Sequence, residues 1–198
     1  MKLNEFSTRI ALLTNELYEA NEYFLGYIHL YNKQVSNLDE LNTAPGFFQL
    51  SLKAFLELFA LKLARLFDDD RESISLFKIP GWLEQSKELR EALEQTKQEI
   101  GSIQAYLADN ESNITSLKLL RDKLLAHTDK KQLSRDIWQD AGITIQKYRC
   151  LISVAHEIIC ICKLILNEAT PLLGMGIETD IDYLIYLLSK ANNDMCEE

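Results

Sequence analysis

The sequence predicts an all-α protein, an elongated antiparallel bundle of about five to six helices that forms a single domain over residues 1–198. Three observations predict this fold class. Apolar residues recur at helical spacing over long stretches, alternating strand-type patterns are absent, and only 7 Gly and 3 Pro are available for tight turns. A chain that is 47% hydrophobic and 26% charged has a normal globular balance and is long enough to bury a sizeable core.

The first two predicted helices are long. Apolar residues spaced by three, four or seven between residues 6 and 35 predict a helix of about ten turns, suited to a bundle strut or a dimerisation surface. Gly26 lies inside it, where glycine costs about 1 kcal/mol relative to alanine, and we expect it to mark close helix packing. After a turn region at residues 37–46, Pro45 suits a first helical turn. Residues 47–67 are apolar on most sides, which is typical of a helix at the centre of its bundle.

The rest of the chain predicts four more helices, separated by polar or Pro/Gly-containing breaks. They cover about residues 82–107, 114–128, 143–167 and 180–190, with Thr179 or Asp180 as the cap of the short last one and a frayed tail after it. Asp68 to Asp70 form an acidic break, which we interpret as a solvated loop because no His or spaced carboxylate follows to complete a metal site. The motif-bearing core is placed at about residues 44–168.

Charge and cysteine usage limit the partners. The formal net charge of −9 disfavours a non-specific grip on nucleic acid but leaves room for a local basic cleft, and we expect no DNA partner. The four cysteines form no Cys-x-x-Cys pair and have no His at zinc spacing, so we expect no metal and no other cofactor. Cys150, Cys160 and Cys162 lie in an apolar helical stretch, where we expect buried free thiols, and a reducing compartment fits them. Without a signal peptide or a membrane-length apolar stretch, the sequence predicts a cytoplasmic protein that does not contact membranes.

The segment with the most chemical content is the helix-forming stretch 119–129, where Arg121 and His127 lie between one and two turns apart on an apolar helix. His127 can titrate near neutral pH, and the planar guanidinium of Arg121 fits phosphate. On an ideal helix the two are about 120° apart in azimuth and about 9 Å apart along the axis, which makes a loose site. A second copy packed antiparallel across a twofold axis would supply the missing wall, so we expect a homodimer.

Structural interpretations of these residues stay open. His127 shares one helix face with Leu120 and Leu124, so it can be an ordinary histidine at the edge of an apolar stripe. A single arginine such as Arg121 is usually solvated or salt-bridged. His29 and His156 lie in apolar helices, where a structural histidine is the expected interpretation. The lysines near the motif can contact a phosphate backbone or form a solvated helix end.

The 119–129 segment resembles the signature of the HEPN superfamily, which is an Arg, a polar residue, a mostly apolar spacer and a His. Arg121 matches the family Arg, Asp122 the polar residue and His127 the His. More narrowly, the chain resembles the abortive-infection branch, which has a similar Arg-Asp-Lys-Leu-x-Ala-His run and an earlier helix that ends like residues 64–68. The resemblance covers roughly residues 47–129. It implies a HEPN-like helical fold and a homodimer with a composite site.

The resemblance also implies a function, a metal-independent endoribonuclease that acts as a toxin or phage-defence component, with RNA as substrate and an antitoxin protein as a further partner. His127 would serve as general base or acid for attack of the RNA 2′-hydroxyl, and Arg121 would neutralise charge on the non-bridging oxygens. Asp122 would orient a partner side chain or hold the twofold contact. The alternative is a non-catalytic helical dimerisation protein, favoured by the acidic balance and by the lack of an aromatic and basic surface.

Overall fold

The structure is a computed structural model that describes residues 1–86, 93–125, 141–174 and 176–196. These residues form eight α-helices and no strand, which confirms the predicted all-α fold class. In chain order the helices are α1 (Leu3–Ser36), α2 (Leu38–Asn42), α3 (Pro45–Leu66), α4 (Ile79–Gln85), α5 (Leu93–Asp109), α6 (Glu111–Leu125), α7 (Ile145–Ile165) and α8 (Gly176–Cys196). A short 3₁₀ turn, Leu76–Lys78, precedes α4.

The chain divides into two compact units. The first comprises Met1–Leu17 with Ala60–Leu172, and the second comprises Tyr18–Phe59 with Leu173–Glu198. The expectation of a single domain over residues 1–198, with a motif-bearing core at about 44–168, stays a prediction.

The first unit has an apolar core to which α4, α5, α6 and α7 contribute. Here α5 packs against α4, α6 and α7, and α6 also contacts α7. The fully buried side chains include Phe6, Ile10, Leu63, Leu83, Ile103, Leu117, Leu120, Leu151 and Ile158. Each removes on the order of 1.5–3 kcal/mol of unfavourable apolar hydration. Because α6 buries Leu117 and Leu120, the face that it packs against this core is defined.

The second unit has a smaller core of its own. Its buried residues are Leu30, Leu41, Phe48, Ile181 and Ile185. The expected close packing at Gly26 is present in this unit. A Cβ atom at that position would lie 3.3 Å from both Ile177 Cγ1 and Phe55 Cε2, tighter than an ordinary van der Waals contact.

Several helices differ from the sequence expectation. The helix expected over residues 82–107 is not continuous, because α4 ends at Gln85 and the backbone of Ser86 is extended. The turn region at residues 37–46 contains the short helix α2, and α6 begins at Glu111 rather than Ile114, because Ile114 N–H already donates to Asn110 O. The last helix is longer at both ends than the expected 180–190 helix. Its first turn is stabilised from another helix, since the Ile177 backbone N–H donates to Glu22 Oε2 at 3.2 Å. Sequence periodicity alone does not reveal such a contact.

Within the described ranges, no helix combines the length and the apolar character that crossing a membrane requires.

Candidate functional site

Helix α6 positions Arg121 and Asp122 next to its buried stripe. Leu117 and Leu120 are fully buried, whereas the Arg121 side chain keeps 24% of its surface exposed and Asp122 keeps 63%. The guanidinium therefore lies at the edge of the core, with its stem packed and its donors within reach of solvent. Two of the three sequence-predicted site residues are placed in this way.

Two carboxylates hold the Arg121 guanidinium. Nε donates to Asp122 Oδ1 at 2.9 Å, Nη2 lies 2.9 Å from the same oxygen, and Nη1 lies 3.4 Å from Asp68 Oδ1. Burial by itself would lower the pKa of Arg121, but the hydrogen bonds and charges of Asp122 and Asp68 outweigh it and raise that pKa above its ordinary value. Arg121 is thus a permanent cation whose planar group has a defined orientation.

The acidic loop after α3 is attached to α6 by two ion pairs. Besides the Asp68–Arg121 contact, Lys118 Nζ lies 2.9 Å from Asp69 Oδ2. The hydrogen bond and the charge of Lys118 lower the pKa of Asp69 below its usual range. The loop also carries its own hydrogen bonds, since Asp68 Oδ1 accepts from the Asp70 backbone N–H and Asp70 Oδ1 from that of Glu72. The loop expected to be merely solvated therefore belongs to the surroundings of the candidate site.

Sequence reasoning did not connect Asp68 with Arg121. A usable signal was present, because Lys118 and Arg121 are three residues apart and so share a helix face, while Asp68 and Asp69 offer two adjacent opposite charges. The match is visible only once the acidic loop that follows α3 and helix α6 are known to belong to the same compact unit.

A surface pocket of about 530 Å³ lies beside α6 in the first unit. Its lining combines apolar and polar side chains, among them Phe77, Leu107, Ile114, Asp69, Glu111 and Lys118. Lys118 Nζ is 5.1 Å from the centroid of the Phe77 ring, a cation–π distance. The volume falls within the range of about 300–1,000 Å³ that is typical of small-ligand sites.

The third predicted site residue, His127, lies outside the described residues, as do Lys130 and Lys131. The description of α6 reaches Leu125. The pairing of Arg121 with His127 therefore remains a prediction from the sequence.

The other two histidines have structural partners. His29 Nε2 lies 2.9 Å from Asp182 Oδ1, and Lys33 Nζ lies 2.7 Å from the same oxygen. The hydrogen bond from Lys33 lowers the pKa of Asp182 most, and the hydrogen bond with His29 lowers it further. His156 Nε2 lies 2.9 Å from Pro171 O, as expected for a structural histidine in an apolar helix.

Three of the cysteines fall among the residues with described side chains, and all three are free thiols. Cys162 is buried, and this burial raises the pKa of its thiol far above the usual range, so it is a poor nucleophile. Within the described ranges, no three His, Cys, Asp or Glu side chains are grouped closely enough to hold a metal ion.

Comparison with known proteins identifies a family. The family model HEPN_AbiU2, described as AbiU2, matches residues 3–171. The matched range contains α1 to α7 and the whole 119–129 segment, whereas α8 lies beyond it. No curated protein and no solved structure matches the chain.

Proposed function

The chain belongs to the AbiU2 family of HEPN proteins, and from this membership we propose that it is a metal-independent endoribonuclease of a toxin or phage-defence system. The observation that carries the proposal is the family match across the segment that contains Arg121, Asp122 and His127. RNA is the proposed substrate, and an antitoxin protein is a proposed further partner.

The geometry around Arg121 supports a role in phosphate binding. Asp122 lies on the same helix and fixes the plane of the guanidinium through two 2.9 Å contacts, whereas the Asp68 contact is longer at 3.4 Å. A charge-assisted hydrogen bond normally spans about 2.7–2.9 Å, so Asp68 is the weaker partner. A phosphodiester oxygen displaces Asp68 from Nη1 in this proposal, while Asp122 keeps the guanidinium in place.

The chemical step follows from the residue types. His127 removes the proton of the RNA 2′-hydroxyl, whose oxygen attacks the adjacent phosphorus, and the bond to the 5′-oxygen breaks. The departing 5′-oxygen takes up a proton from water, and His127 returns its own proton to solvent. Arg121 stabilises the negative charge on the non-bridging oxygens. The products are a 2′,3′-cyclic phosphate and a 5′-hydroxyl. The pocket beside α6 offers room for a base next to the cleaved linkage, because Lys118 in its lining lies one helical turn from Arg121.

A homodimer completes the proposed site. On an ideal helix Arg121 and His127 would lie about 120° apart, too wide an angle for a tight site, and a second copy across a twofold axis would supply the opposing wall. Two arginines and two histidines then surround one scissile phosphate.

One observation favours the non-catalytic alternative. The Arg121 guanidinium already has two carboxylate partners within its own chain, as a purely structural arginine would. In that case Arg121 attaches the acidic loop to α6, and the protein acts through its helical surfaces.

The deciding experiment is cleavage of RNA by the purified protein in the presence of a chelator, with end-group analysis of the products. We expect Arg121→Ala and His127→Ala to lose about 100-fold or more of the rate, the usual contribution of a general acid–base or oxyanion-stabilising group. Arg65→Ala and His29→Ala are matched controls that should retain the rate, since Arg65 is 65% exposed and His29 lies in the other compact unit.

Circular dichroism spectra of all four variants test whether each remains folded. Equal cleavage by the wild-type chain, Arg121→Ala and His127→Ala would exclude this site as the source of the activity. Relief of expression toxicity by His127→Ala would support the toxin role.

A further inference from the structure

Helix α8 carries apolar residues on two faces. One face packs into the core of the second unit through Ile181 and Ile185. Large apolar side chains also lie on its solvent side, with exposed fractions of 62% at Tyr183, 38% at Leu184, 60% at Tyr186 and 42% at Leu187. The rings of Tyr183 and Tyr186 stack with centroids 6.5 Å apart. These four residues form the outer face of α8.

The outer face has the composition of a protein–protein contact. Single exposed apolar residues are ordinary on a protein surface, but four within five consecutive positions form a contiguous patch of the kind that marks an interaction site. Tyrosine is among the residues enriched at interfaces. The helix also lies beyond residues 3–171, so the family match does not account for this surface.

The outer face is flanked by two charged residues of opposite sign, one at each end. Asp180 precedes the patch and Lys190 follows it, and both are exposed. Neither forms an ion pair with any side chain that the structure describes. A rotation of about 100° per residue places each of them within about 40° of the line midway between Tyr183 and Leu187, so both charges belong to the same side of the helix.

We propose that the outer face of α8 pairs with the same face of a second copy of this chain, with the two helices antiparallel about a twofold axis at the level of residue 185. In this arrangement, positions equally far before and after residue 185 face each other. Tyr183 lies opposite Leu187 of the second copy, and Leu184 lies opposite Tyr186 of the second copy. Asp180 then lies opposite Lys190 of the second copy.

The charge pattern selects both this partner and this orientation. Only the register centred on residue 185 pairs all four apolar residues of the outer face with one another. The same register brings each Asp180 to a Lys190, and the twofold axis forms that pair twice. A parallel pairing would instead place Asp180 against Asp180 and Lys190 against Lys190, which repel. Because the surface is complementary to itself, a second copy of the chain supplies every group that the face requires.

Charge exchange tests the pairing, with the dissociation constant measured by sedimentation velocity at low salt. Asp180→Lys and Lys190→Asp each place like charges opposite one another at two points, so we expect each to weaken association by about 10-fold or more. The double variant D180K/K190D restores opposite charges and should return to within about 3-fold of the wild-type value. Asp109→Lys, the same change at an exposed residue of α5, is the matched control and should behave like the wild type.

Leu187→Asp tests the apolar part of the contact and should weaken association by about 100-fold or more, because it introduces two carboxylates into the centre of the interface. Circular dichroism spectra test whether the variants remain folded. A wild-type chain that does not self-associate would overturn the proposal. So would association that is unchanged in Asp180→Lys and Leu187→Asp, or a double variant that is not restored. The homodimer proposed at Arg121 predicts no dependence of association on the outer face of α8, so these variants distinguish the two contacts. None of these outcomes depends on RNA cleavage.

Discussion

Neutralising Asp68 should tighten RNA binding at the proposed site, because Asp68 competes with phosphate for Arg121. The contact joins Arg121 Nη1 to Asp68 Oδ1 at 3.4 Å, between side chains that are 24% and 27% exposed. Asp68→Asn removes the negative charge but keeps the side-chain oxygen that accepts from the Asp70 backbone N–H. The loop conformation should therefore survive the substitution.

The size of the effect follows from the geometry of this ion pair. The distance exceeds that of a good charge-assisted hydrogen bond, and both groups are partly solvated, so we assign the pair about 1 kcal/mol, the upper end for exposed ion pairs. An oxygen of the RNA backbone no longer has to displace that interaction in Asp68→Asn. The dissociation constant should fall by about fivefold.

Fluorescence anisotropy with a 2′-O-methyl RNA oligonucleotide measures binding without cleavage, since its 2′-oxygen is blocked. Asp70→Asn is the matched control, because it makes the same charge change in the same loop, where the Asp70 carboxylate accepts from the Glu72 backbone N–H. We expect the fivefold gain in Asp68→Asn only. An equal gain in both variants would indicate general electrostatics, and an unchanged or weaker affinity in Asp68→Asn would refute the role of Arg121 in phosphate binding.

Three further predictions concern stability, measured by chemical denaturation. Leu117→Ala should lower the free energy of unfolding by about 2–5 kcal/mol, because Leu117 is fully buried; a loss below about 1 kcal/mol would contradict its place in the core. Gly26→Ala should leave the free energy of unfolding nearly unchanged, because a gain of about 1 kcal/mol in helix propensity offsets the crowding from Phe55 at 3.3 Å. Gly26→Leu should lower it by about 1–3 kcal/mol, because the larger side chain does not fit. Equal effects of the two variants would exclude close packing at Gly26. Asp182→Asn should destabilise by less than about 1 kcal/mol at pH 7, because the half-exposed Asp182 pairs with Lys33. The pKa of Asp182 is lowered in the folded state, so its contribution to stability is present above the unfolded pKa of about 3.9 and disappears as the pH falls through the folded pKa. A difference in the free energy of unfolding between Asp182→Asn and the wild type that does not shrink below pH 4 would contradict the pairing.

Helix periodicity predicted the fold class because it is a local property. The apolar steps along α1, α3, α6 and α7 lie within each helix, and burial of the stripe that they form follows from the hydrophobic effect alone. The boundaries of α8 were predicted less well. Its first turn depends on a hydrogen bond from Ile177 to Glu22, and no local pattern encodes a partner so far away in the sequence.

The candidate site was predictable to the extent that its chemistry lies in one segment. Arg121 and Asp122 are adjacent in sequence and also form a pair in the structure. The contributions of Asp68 and of Lys118 with Asp69 were not predicted, since they join the loop after α3 to helix α6.

The sequence by itself determined that the chain is helical and which arginine, carboxylate and histidine are candidates for chemistry. It predicted the buried face of α1 only in part, since Tyr31 and Val35 continue the apolar spacing but are 51% and 91% exposed. Only the tertiary structure decided that an acidic loop holds the Arg121 guanidinium and that α8 has an apolar face without a covering element among the described residues. The physical reason is that helix formation and side-chain burial follow from spacings of three or four residues. Ion pairs between separate elements, and surfaces left uncovered, depend on how those elements pack.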